Sequence, residues 1–122
     1  MDAKRRERDA RGAERAVAAE LIRSGWAILG VNVRAGRLEM DVVARGGPVL
    51  GIVEVRTRGP RSWTRPLGSI DYAKRRRIRR AGERLWRRLR ADESLERVRF
   101  DAASVRFDPD GDFCVEYVRG AF

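Results

Sequence analysis

Polar and apolar positions follow two rhythms along this chain. From Gly12 to about Ser24, Val17, Ala18, Leu21 and Ile22 recur at i, i+1, i+4 and i+5, the stripe of an amphipathic helix, and Ser24-Gly25 supplies its stop. Period-two runs then take over. Trp26–Arg34 reads as a strand, Ala35-Gly36 as a tight turn, Arg37–Ala44 as a second strand, and Val49–Thr57 as a third after the break at Gly46-Gly47-Pro48. Residues 58–69 are rich in Pro, Gly and Ser and read as a loop. A second helix begins near Ser69 and runs to about Arg90, with Ile78, Ala81, Leu85 and Leu89 as its stripe. Strand-like Val98–Phe107, the turn Asp108-Pro109-Asp110-Gly111 and strand-like Phe113–Arg119 complete the order α-β-β-β-α-β-β.

That order predicts an α/β protein with helices against a sheet. At 122 residues the chain supports one domain with a real core. Residues 1–10 carry many charges and few apolar side chains, so they are expected to form a flexible basic arm, leaving 11–122 as the single domain.

Charge adds a partner class. Lys and Arg outnumber Asp and Glu by 28 to 18, a formal charge of +10, which favours polyanions. No apolar run approaches a membrane span, so nucleic acid is expected rather than a membrane. From Lys74 to Arg90 there are ten Lys or Arg and one acid, Glu83, which points to a phosphate-contacting helix face rather than a merely solvated one. Trp63, between Arg61 and Arg65, can stack on a base or pack back on its own domain.

Absences narrow the chemistry. Histidine is missing, which removes His-dependent nucleophilic catalysis and His-ligated metals. Cys114 is the only cysteine, which excludes an internal disulfide and fits a cytoplasmic setting. Carboxylates, lysine and arginine remain, and these suit a hard ion such as Mg²⁺ or Mn²⁺.

Strand alternation puts Glu39, Asp41 and Val43 on one face of the second strand and Ile52, Glu54 and Arg56 on one face of the third. A hairpin through Gly46-Gly47 then brings Asp41 near Glu54, and two adjacent carboxylates call for a cation. The Glu54-x-Arg56 spacing alone is weak, because this composition supplies about four acid-x-base triplets by chance. Helix phase adds to it. Glu14 is expected near the middle of the first apolar stripe, and Lys74 lies one turn before Ile78 on the same side of the second helix. Both also sit near helix starts, where a stripe can reach solvent.

Three segments share a wider pattern: Ala13-Glu14-Arg15-Ala16-Val17, Leu38-Glu39-Met40-Asp41-Val42-Val43, and Ile52-Val53-Glu54-Val55-Arg56-Thr57-Arg58. With the basic helix from Lys74, Arg99-Phe100-Asp101 and Ala121-Phe122, the chain resembles the YraN-like family of uncharacterised bacterial proteins over about residues 11–122. That family is related to Holliday-junction resolvases in the PD-(D/E)xK nuclease superfamily. The resemblance implies a restriction-endonuclease-like core with a mixed central sheet, and an Mg²⁺-dependent endonuclease acting on DNA, branched or flapped. It implies Asp41, Glu54 and the Val55 carbonyl as metal ligands, with Glu14 assisting, Arg56 at the catalytic basic position, and a homodimer. Nucleic acid would be contacted by Arg58, Lys74, Arg75, Arg76, Arg77 and Arg80.

Arg56 stands where the family carries lysine, and Leu38 and Ala13 where it carries glycine. Arginine holds a phosphate but does not act as a general base. Lys74 is therefore expected to supply the missing amine if its helix aims it at Glu54. A catalytically silent nucleic-acid-binding module and an adaptor for an acidic protein are the competing expectations.

Overall fold

The computed structural model describes residues 3–58, 71–92, 94–110 and 112–122. Its elements are α1 (Ala3–Arg23), β1 (Ala27–Ala35), β2 (Leu38–Gly46), β3 (Val49–Arg58), α2 (Tyr72–Leu89), β4 (Arg97–Phe107) and β5 (Phe113–Val118). This is the expected order. One five-stranded sheet runs β1-β2-β3-β4-β5, with β3 and β4 parallel and the other neighbours antiparallel. A parallel pair needs a long crossover, and α2 lies within it.

Side-chain alternation gives the sheet two apolar faces. On one, Ala13, Ala16, Val17 and Leu21 of α1 pack on Val42, Ala44, Val53, Ala103 and Val105. On the other, Ile78, Ala81 and Leu85 of α2 pack on Val43, Leu50, Ile52 and Phe100. Each fully buried Ile, Val or Leu contributes about 1.5–3 kcal/mol through removal from water. Helix α2 approaches the sheet tightly at Gly82, where an added Cβ would lie 2.6 Å from Phe100 Cε1 and 3.0 Å from an Ile52 side-chain carbon. Gly82→Ala is therefore expected to cost roughly 1–3 kcal/mol in urea unfolding despite alanine's better helix propensity.

Two expectations change. The helix expected from Gly12 begins at Ala3, so residues 3–10 of the expected arm are helical. Their Ala, Lys, Arg and Glu content lacks apolar residues, which suggested disorder, but those residue types are strong helix formers. The stripe of α1 is also rotated from the one expected. Ile22 is 59% exposed, whereas Ala13 and Ala16 are buried. Small alanines let α1 approach the sheet closely, and Glu14 consequently lies at the flank of the buried stripe, half-buried, rather than at its centre.

α2 starts where its cap dictates. The Asp71 carboxylate accepts the Lys74 backbone N–H at 2.7 Å, satisfying one of the orphan donors of the first turn. Helix α2 thus begins at Tyr72, three residues after the expected Ser69, and Lys74 falls in its first turn.

Candidate active site

The site lies where two strands part. β2 and β3 pair from Gly46↔Val49 to Val42↔Val53, while β2 remains paired with β1 through Met40 and Leu38. Beyond Val53, β3 keeps β4 on its other side as far as Arg58↔Arg106. Asp41 stands at the mouth of this fork. Its Oδ2 accepts the Val55 N–H at 2.8 Å, replacing the ladder bond that the departing strand no longer makes. In a strand a residue's N–H and C=O face the same neighbour, so the Val55 carbonyl also opens towards the gap.

The fork breaks strict alternation. Met40 packs with the α2-side core and Val42 with the α1-side core, although they are two residues apart. The expected shared face for Glu39, Asp41 and Val43 therefore does not extend through Asp41. On β1 the residue between the pairs Val31↔Val42 and Val33↔Met40 is Asn32, which adopts φ 55. A left-handed residue inside a strand turns the β1–β2 ribbon away from β3 at that point.

Glu54 follows Ile52 on the α2 face and is 4% exposed. The Lys74 ammonium reaches it, with Nζ 2.6 Å from Glu54 Oε1, and Arg56 Nη2 lies 3.6 Å from the same oxygen. The helix phase that aimed Lys74 inwards is thus matched by contact. Asp41 lies within hydrogen-bond reach of Glu54, and its carboxyl is pushed up to about 7, first by burial, then by the charge of Glu54. The Val55 N–H acts in the opposite direction, and Glu14 adds further negative potential. Glu14 itself is raised by burial, against a hydrogen bond with the Asn32 side chain. A buried acid that keeps its proton beside a second carboxylate is chemically poised to exchange that proton for a cation.

Asp41, Glu54, Val55, Arg56 and Lys74 are thus brought together, with Glu14 approaching from α1. Arg75 is half-buried, Arg76 lies over the Tyr72 ring at 5.8 Å, and Arg77 and Arg80 point into a cleft further along α2. Arg58 ends β3, but its side chain lies outside the described residues, as do Arg61, Trp63 and Arg65.

Among the described residues no group of three or more His, Cys, Asp or Glu is gathered that could hold a metal ion. The pair still fits Mg²⁺, which commonly takes one or two carboxylates and completes its shell with water and phosphate oxygens. Removing Lys74 tests how far Glu54 depends on it. Lys74→Met is expected to cost roughly 2 kcal/mol in urea unfolding, less than a fully buried pair, because Lys74 is 28% exposed and Arg56 stays beside Glu54.

Two participants escaped the sequence reading. Asn32 carried a signal, since asparagine is depleted in strands and tolerates the left-handed region. Asp101 is the other. It is fully buried and accepts Arg99 Nε and Nη2 at 2.9 and 3.0 Å, the Tyr117 hydroxyl at 2.6 Å and the Gly120 N–H at 2.8 Å. It ties β5 and the following turn to β4.

A mixed five-stranded sheet between two helices, in α-β-β-β-α-β-β order, with a carboxylate pair at a strand fork, defines an α/β protein with a restriction-endonuclease-like core. Residues 13–105 match the uncharacterised protein family UPF0102, and the chain belongs to that family, the YraN-like group. A UPF0102 protein of Sorangium cellulosum is 57% identical over 114 residues, covering 90% of this chain and 77% of that protein. UPF0102 proteins of Moorella thermoacetica and Symbiobacterium thermophilum are 40% and 36% identical, each over 89% of this chain and about nine-tenths of their own length.

Proposed function

We propose that this protein is an Mg²⁺-dependent endonuclease, with Mn²⁺ as a substitute, that hydrolyses phosphodiester bonds of DNA, including branched or flapped forms. The observation that carries the proposal is the fork itself: Asp41 held by the Val55 N–H, Glu54 within reach of it, and the Lys74 ammonium at 2.6 Å from Glu54.

Asp41, Glu54 and the Val55 carbonyl would hold the ion, which when bound supplies Lewis-acid assistance to hydrolysis of the scissile phosphate. Lys74 and Arg56 serve complementary ends. Lys74 orients Glu54 and supplies from α2 the ammonium that Arg56 replaces in the family pattern, while Arg56 holds a phosphate oxygen without exchanging protons. Glu14 adds negative potential that favours a cation at the fork. The basic face of α2 supplies phosphate contacts that do not read sequence.

The test is cleavage of supercoiled plasmid and of four-way junctions with Mg²⁺ or Mn²⁺, wild type beside Asp41→Asn. Metal-dependent cleavage confined to wild type supports the proposal. Absence of metal-dependent cleavage on every substrate counts against it and favours the second reading, a nucleic-acid-binding module, which the basic face of α2 supports independently. No helix among the described residues is long and apolar enough to cross a membrane. With Cys114 a free, exposed thiol, a reducing cytoplasm is the proposed setting. A homodimer is part of the proposal, and sedimentation checks it.

A further inference from the structure

The β1–β2 ribbon that leaves the sheet at Asn32 does not end in solvent alone. Its tip, around Gly36, stands opposite α2, and the space between them is a cleft of about 600 Å³ lined by Ala35, Gly36, Leu38 and Ala81 at the floor. Arg37 rises from the ribbon, and Arg77, Arg80 and Arg84 from the helix. A second hollow of about 380 Å³ shares Ala35, Gly36, Ala81 and Arg84 with the first and extends it along α2, adding Arg34, Arg87 and Arg88. The two form one trough with arginines on both walls. No acid lines either part among the described residues. Glu39 is the nearest acid by pairing, 3.9 Å from Arg34 at the exposed rim.

Concentrating cations across a narrow gap is unfavourable by mutual repulsion unless a polyanion fills it. The small residues Ala35, Gly36 and Ala81 leave room for one, and the volume lies within the range of a ligand pocket. Arg77 to Arg88 spans about 16 Å of helix at ~1.5 Å per residue. That length accommodates a few consecutive phosphates of one strand. No aromatic residue lines the trough among the described residues, so it has no stacking platform for bases. Its near end lies one helical turn from Lys74, which touches Glu54.

We propose that the trough between the Gly36 turn and α2 is a phosphate track for one strand of nucleic acid, independent of base sequence and continuous with the fork. Its connection to the fork rests on the proposed function, but its binding does not. The experiment is therefore run in the Asp41→Asn background, where a lack of cleavage cannot affect the result. Binding of a fluorescent 20-nucleotide oligothymidine and an oligoadenine of equal length is measured by anisotropy at several salt concentrations. The full chain is compared with Arg37→Ala/Arg84→Ala, two exposed trough residues, and with Arg97→Ala/Arg106→Ala, two exposed residues of β4.

The trough variant is expected to bind at least tenfold more weakly, with a log–log salt slope flatter by about 1.4, the loss of two phosphate contacts to a single strand. The β4 variant is expected to match the parent, and the two homopolymers to bind alike. Equal losses in both double variants, or none in the trough variant, would overturn the proposal. So would polyglutamate competing as well as the oligonucleotide charge for charge, which would make the occupant an acidic protein.

Discussion

Asp101→Ala is expected to destabilise the protein by roughly 3–5 kcal/mol, a large share of the ~5–15 kcal/mol that holds a domain folded. Asp101 is fully buried and takes four hydrogen bonds from three residues. Its removal leaves the Arg99 guanidinium, lying over the Trp26 ring at 5.2 Å, without its counter-charge. The Tyr117 hydroxyl and the Gly120 N–H lose their acceptor as well. The pair is tightly linked: the hydrogen bond to Asp101 raises the Arg99 pKa, and burial followed by that same carboxylate raises Tyr117. Tyr117→Phe removes one donor and leaves the charges paired, so it is expected to cost only about 1 kcal/mol. Urea unfolding of the three proteins checks this order. A small Asp101→Ala effect, comparable with that of Tyr117→Phe, would show that the carboxylate is not what holds β5 to β4.

The elements were legible because their periods are local. Lys74 is the clearest case. Ile78 placed one side of α2 inwards and Ile52 placed Glu54 on a definite face of β3, so two independent periods aimed the two residues at the same side of the sheet. Ile78 and Ile52 do share one core, and Lys74 does reach Glu54. The fork was not legible in the same way. Alternation assumes an unbroken ladder, whereas β2 parts from β3 at Asp41, and pairing depends on strands whose order a period does not encode. The hairpin argument still brought Asp41 and Glu54 together, but it did not foresee that Val55 would bond Asp41 in place of a strand. Asp101 was hidden for a further reason. Its partners Tyr117 and Gly120 lie 16 and 19 residues downstream, so nothing near it in sequence distinguishes a buried charge from one exposed on a strand.

Asp41→Asn is expected to abolish the response of the fork to pH and to metal. Native Asp41 keeps its proton up to about 7, because it is buried beside Glu54, whereas its ordinary value is 3.8. Between those values the native state binds the extra proton, so stability falls as pH rises through the window. In EDTA this loss amounts to roughly 4 kcal/mol between pH 4 and 8, at about 1.4 kcal/mol per pH unit across the part of that range where only the native state holds the proton. Asparagine carries no titrating proton, so the variant should lose that dependence and be more stable than wild type at pH 8. Adding Mg²⁺ or Mn²⁺ at pH 8 should restore wild-type stability by replacing the proton with an ion, have little effect at pH 5, and leave the variant unchanged. The same substitution should reduce metal-dependent cleavage by about 10³-fold or more, a transition-state cost of roughly 4 kcal/mol. Urea unfolding at the two pH values, with and without metal, separates the readings. A wild-type protein whose stability rises from pH 5 to 8 in EDTA would show that Asp41 does not keep its proton in the folded state. One that loses stability as expected but ignores both metals would leave the fork without its ion, and the basic helix as a binding surface alone.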